Sequence, residues 1–299
     1  DNMRIGIITI HNSTNYGASL QAWALYKFLV DCGFDCEVID LHRPVHDDYI
    51  FSKRFTDYHG MCKEAQRFHL KKFIRTHIIK KKEPAGVAAR EAKFTAFNGK
   101  IRLSRPYRSI DDLYAEPPAY DVYVTGSDQV WNTVGTGVID PAYFLSFVPD
   151  DKKKIAYAGC FGTKTVRDED RDNIIKWLKR YDHITIREKS GVELAKSLGV
   201  DAEQVLDPTF LMTPQNWLDT LPKKEKKESY VLVYQLHPNK EFQTYAKEFA
   251  KRKNMKLIRV NPYFHHMFKP GKFVFCPPVE EFLWYIKNAD YFLTDSFHG

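Results

Sequence analysis

RIGIITIHNSTNYGASLQAWALYKFLVDCGFDCEVIDL, residues 4–41, decides the fold class. Arg4 to Ile10 is a short isoleucine-rich run, the composition of a parallel strand covered on both faces. His11-Asn12-Ser13-Thr14-Asn15-Tyr16-Gly17 is turn chemistry. Leu20, Trp23, Ala24, Phe28 and Leu29 then recur at three- and four-residue spacing and predict a helix with one apolar face. Gly33 stops that helix, and Cys36 to Leu41 reads as the next strand. Strand, helix and strand in this order form a βαβ unit, which predicts a parallel sheet.

The same alternation returns further along. Strands are expected at 121–124, 155–158, 183–186 and 204–206, and beyond the charged stretch 223–229 at 230–236, 256–260 and 291–294. Ile174, Ile175, Leu178 and Tyr181 mark one intervening helical face. Val279, Phe282, Leu283 and Ile286 mark another. Residues 44–118 are basic, aromatic and only partly helical in pattern. The expected architecture is α/β with two Rossmann-like doubly wound domains, 1–172 and 173–299.

Composition narrows the function classes. The 299 residues are 43% hydrophobic and 28% charged, as in a globular protein. No apolar run approaches the roughly 18 residues of a membrane helix, and no signal peptide is expected ahead of the first strand. Five scattered cysteines fit free thiols in a reducing cytoplasm. The net charge of +7 is concentrated between Lys63 and Lys82. Such a run suits either a solvated helix face or a peripheral contact with anionic lipid, and no nucleic-acid module accompanies it.

In open parallel sheets, ligands bind beyond the carboxyl ends of the strands. The loops to inspect are therefore Asn15-Tyr16-Gly17, Gly126-Ser127-Asp128-Gln129, Arg187-Glu188, Asp207-Pro208-Thr209 and Asp295-Ser296-Phe297-His298-Gly299. None carries a dinucleotide fingerprint or a Walker A loop. Asn15 and Ser19 are placed to cap the helix that begins near Gly17, whose N-terminal amides suit an anion or a sugar hydroxyl.

The stretches NSTNYGASLQAWALYKFL, YDVYVTGSDQVWN, IAYAGCFG, HITIREKSGVELAKSLG, VLDPTFL and ADYFLTDSFHG resemble, in order, the polysaccharide pyruvyltransferase family. The resemblance implies two Rossmann-like domains facing a cleft, as in GT-B glycosyltransferases, with the acceptor on the N-terminal side and the donor on the C-terminal side. It implies transfer of pyruvate from phosphoenolpyruvate to a sugar or lipid-linked glycan, without cofactor or metal, in a bacterial cytoplasm and at the inner face of the membrane where the glycan is lipid-linked. It makes His298 and Asp128 catalytic, with Asp207 an alternative to Asp128. Arg187, Ser296 and Gly299 become donor-binding, and Asn15, Tyr16, Gly17 and Ser127 acceptor-binding. Ser296 stands where other members carry arginine, which removes one cation from the donor side. Because the family continues past the His-Gly turn, a further C-terminal portion is expected. The alternatives are a nucleotide-sugar glycosyltransferase on the same scaffold and an inactive glycan-binding relative.

The chemistry asks for these residue types. Phosphoenolpyruvate reacts at C2 after C3 is protonated, which needs a general acid, and histidine titrates in the right range. The acceptor hydroxyl needs a base or an orienting acceptor, for which Asp128 and Asp207 are the candidates.

Overall fold

The computed structural model describes residues 2–43, 84–133, 139–226 and 228–299. The basic 63–82 run, and with it the expected membrane contact, lies outside the described residues. In chain order the helices are α1 (Tyr16–Asp31), α2 (Pro84–Asn98), α3 (Ile110–Ala115), α4 (Arg171–Leu178), α5 (Lys189–Ser197), α6 (Pro214–Leu218), α7 (Lys240–Arg252) and α8 (Val279–Asn288).

The chain divides into two compact units. The first takes the described residues within 1–11, 21–82 and 101–211, the second those within 12–20, 83–100 and 212–299. The expected boundary after residue 172 thus falls inside the first unit. The reason is strand pairing: the strands at 183–186 and 203–204 extend the first sheet. Two short N-terminal segments, by contrast, join the second unit.

The first unit is built on β1 (Arg4–Ile8), β2 (Asp35–Val38), β3 (Val122–Thr125), β4 (Lys153–Gly159), β5 (His183–Ile186) and β6 (Glu203–Gln204), all parallel in the order β2-β1-β3-β4-β5-β6. The order reverses between β1 and β3, which makes their carboxyl ends a topological switch point. Ile5, Ile7 and Ile8 are buried, as a strand covered on both faces requires. Trp131 belongs to the same core, stacked on Phe144 with its indole N–H donating to the Tyr143 carbonyl at 3.1 Å.

The second unit holds β7 (Tyr230–Tyr234), β8 (Lys256–Asn261), β9 (Lys272–Phe275) and β10 (Tyr291–Thr294), parallel in the order β10-β7-β8-β9. Its switch point lies between β10 and β7. Here Asp295 clamps the two strand ends, accepting the Leu236 amide at 2.6 Å and the His237 amide at 2.9 Å. Burial alone would raise the Asp295 carboxyl, but these amides outweigh it and hold the pKa below the ordinary value.

Helix α1 departs from the single apolar face expected for it, since residues 16–25 are buried all round. Tyr16, at its start, is fully buried within the second unit. Its ring stacks on Phe282 at 4.1 Å and lies 5.0 Å from Phe94, and its hydroxyl donates to the Pro277 carbonyl at 2.7 Å. Tyr16→Ala is expected to destabilise the protein by roughly 3–5 kcal/mol, as loss of a buried aromatic does. Tyr16→Phe, which leaves only the Pro277 carbonyl unpaired, should cost about 1 kcal/mol. Urea unfolding of the two variants checks the ratio.

Candidate functional site

Two groups of residues gather at strand ends, one in each unit. In the first unit, Gly126 turns the chain out of β3 at φ +113, and a Cβ there would lie 2.2 Å from the Tyr157 carbonyl oxygen. Only glycine fits. Asp128 follows at φ 69, in the left-handed region that Asp tolerates better than most side chains.

The Asp128 carboxylate is held by Arg187, at the end of β5. That guanidinium is almost wholly buried and donates in three directions: Nε to Glu188 at 2.8 Å, one terminal nitrogen to Asp207 at 3.0 Å, and the other to Asp128 at 3.3 Å. Burial alone would lower the Arg187 pKa. The carboxylates of Asp128 and Glu188 outweigh it and raise the pKa. Asp207 also accepts from the Thr209 amide and hydroxyl at 3.0 and 2.9 Å.

This geometry corrects two expectations. Arg187 was expected to grip an anionic donor, but its donors are already committed to carboxylates. Its role here is to hold Asp128. Ser127 was expected to touch an acceptor, yet it is fully buried. Its hydroxyl lies 2.9 Å from the Ala158 carbonyl and 3.1 Å from Asp207. Ser127 braces the turn.

Beside this group, at the ends of β1 and β2, lies a pair that sequence reading missed. His11 is buried, with Nε2 3.0 Å from an Asp40 carboxylate oxygen and Nδ1 3.2 Å from the Thr9 carbonyl. The Thr9 hydroxyl donates to the Ser127 carbonyl at 3.1 Å and accepts from Gln21 at 3.0 Å. A continuous polar line thus runs from α1 through Thr9 to Ser127, Asp207, Arg187 and Asp128.

The second group lies within the second unit, where five expected site residues meet. Asn15 caps α1, its side-chain oxygen accepting the Ala18 amide at 3.3 Å. Gly17 follows in the first turn, and a Cβ on it would stand 2.2 Å from His298 Nδ1. The His298 imidazole therefore rests on the backbone of α1. Its other side meets Phe297, ring to ring at 5.2 Å. Ser296 and Gly299 form the turn that presents it, the Gly299 amide donating to the Ser296 hydroxyl at 3.2 Å. Tyr16 lies in the same segment, but its side chain packs inward, so the expected acceptor contact is not open to its hydroxyl.

Residues 15–299 match the family model described as polysaccharide pyruvyl transferase. No curated protein matches the chain. An α-glucosyltransferase solved in complex with UDP and a 13-mer DNA containing a HMU base superposes with TM-score 0.52 at 8% identity, over 98% of this chain and 72% of that one. A UDP-GlcNAc 2-epimerase from Methanocaldococcus jannaschii aligns with TM-score 0.48 at 13% identity, over 98% and 79%. The first likeness bears out the GT-B-like α/β fold class.

Arg187→Met should destabilise the protein by roughly 3–5 kcal/mol, because it strands buried carboxylates without their counter-charge. Urea unfolding measures it. The Cys160 thiol, whose pKa burial pushes up to about 12 while it donates to Glu188 at 2.8 Å, should resist alkylation at pH 8. Exposed Cys32 should react under the same conditions, and peptide mapping separates the two.

Proposed function

The chain belongs to the polysaccharide pyruvyl transferase family, and from that membership we propose that it moves pyruvate from phosphoenolpyruvate to a sugar of a bacterial cell-surface polysaccharide. The acceptor is the polymer itself or its lipid-linked precursor, met at the cytoplasmic face of the membrane, and the product is a cyclic ketal on two hydroxyls.

The observation that carries this reading is the seat of His298. The imidazole lies against a glycine backbone in the first turn of a 16-residue helix, where any side chain would displace it. A histidine so held is suited to protonate C3 of phosphoenolpyruvate, which makes C2 electrophilic. The first sugar hydroxyl then bonds to C2. The phosphate leaves with the C2–O electron pair, and the second hydroxyl closes the ketal. One hydroxyl proton restores the imidazole and the other departs on phosphate, so atoms and charge balance. In the first unit, Asp128 is the carboxylate that orients the acceptor hydroxyl. Arg187 holds it in place at 3.3 Å.

Phosphate release from phosphoenolpyruvate, followed over a panel of lipid-linked and free glycans, tests the reading. His298→Gln should lower turnover by roughly 10²–10⁴-fold. Gly17→Ala should also lower turnover, because the imidazole must move, while its melting temperature stays close to that of the parent. Asp128→Asn keeps a side chain that tolerates φ 69 and should retain the fold while losing turnover. Binding of a nucleotide sugar with none of phosphoenolpyruvate would replace this reading with glycosyl transfer.

A further inference from the structure

Arg259, on β8, is fully buried, and its partners are neutral and distant. Nε lies 3.3 Å from the Pro270 carbonyl and one terminal nitrogen 3.4 Å from the Gln235 side-chain oxygen. The other terminal nitrogen has no hydrogen-bond partner among the described residues. Burial lowers its pKa, and no acidic neighbour among the described residues raises it. The contrast with Arg187 and its three carboxylates is complete. A buried charge without a counter-charge is costly, and one that persists has a use outside the resting fold.

The direction of the guanidinium indicates that use. Gln235, which it reaches, donates in turn to the Asn239 carbonyl at 3.2 Å, and Asn239 is the N-cap of α7. The charge is therefore one amide away from the positive pole of a 13-residue helix. Lys269 adds a second cation. Burial lowers its pKa most, and repulsion from Arg259 lowers it further, while Asp295 opposes both. Among the described residues, Asp295 is the acidic group that acts on Lys269, and Glu241 lies in the first turn of α7. Asp295 already accepts from two backbone amides and lies 3.4 Å from His237 Nδ1.

We propose that the carboxyl ends of β7 and β8 form an anion site, in which Arg259, Lys269 and the first turn of α7 take a phosphate or carboxylate group. Gln235 stands between the guanidinium and the helix. A turn of its side chain trades one long neutral contact for a charge-assisted one and opens the unused N–H groups. That the anion is the donor rests on the phosphoenolpyruvate reading; the site itself does not. It supplies on the second unit the cation that Ser296 lacks and that Arg187, committed to its carboxylates, does not provide.

Calorimetric titration of the whole chain with phosphoenolpyruvate, inorganic phosphate and UDP-glucose, beside Arg259→Met and Lys269→Gln, tests the proposal. Each variant is expected to bind phosphate and phosphoenolpyruvate at least tenfold more weakly. Arg259→Met should melt no lower than the parent, since an apolar chain of similar length replaces an unpaired charge. If that variant does not fold, Lys269→Gln decides alone. Phosphoenolpyruvate bound as tightly by both variants as by the parent overturns the site and leaves the donor reading standing. Arg259-dependent binding of phosphate or UDP-glucose, with none of phosphoenolpyruvate, keeps the site and overturns the donor. No binding of any of the three to the parent overturns the site.

Discussion

One guanidinium organises the first unit. Asp128, Glu188 and Asp207 come from three different loops, and mutual repulsion would keep them apart in a low-dielectric interior. Arg187 lies within 3.3 Å of a carboxylate from each and makes their convergence favourable. The turns after β3, β5 and β6 are therefore not independent loops. Ser127 and Thr209 are fixed through Asp207, and Cys160 through Glu188, so the side chain at the end of β5 sets the shape of the whole carboxyl edge.

The two buried arginines divide the electrostatic work. Arg187 spends its charge inward, on three carboxylates. Arg259 is left uncompensated and gives the second unit an unmet positive potential.

The strands were legible because a parallel strand buried on both faces leaves a continuous apolar run, as at residues 4–8, 122–125 and 230–234. The unit boundary was not. Both units use the same alternation, and periodicity says nothing about which strand pairs with which, so β5 and β6 could not be assigned to the first sheet. Candidate residues were legible where polar side chains follow a strand end, as with Asp128 and His298. It was illegible where the decisive fact is a long-range partner. His11 and Asp40 lie 29 residues apart with no spacing rule between them, and Arg259 looks like any polar residue in a strand. Tyr16 and Ser127 show the opposite error. Turn position suggested ligand contact, and burial then committed both side chains to the fold.

The inclusion of residues 12–20 in the second unit bears on how the protein is made. Tyr16 is synthesised early, but the carbonyl that takes its hydroxyl proton lies 261 residues later. At about 5–20 residues per second, the ribosome needs roughly 13 to 50 seconds to deliver it. Through that interval a ring destined for full burial has none of its late-made partners. The second unit consequently cannot close around Tyr16 until residues 277–282 have been made, however early its first segment emerges.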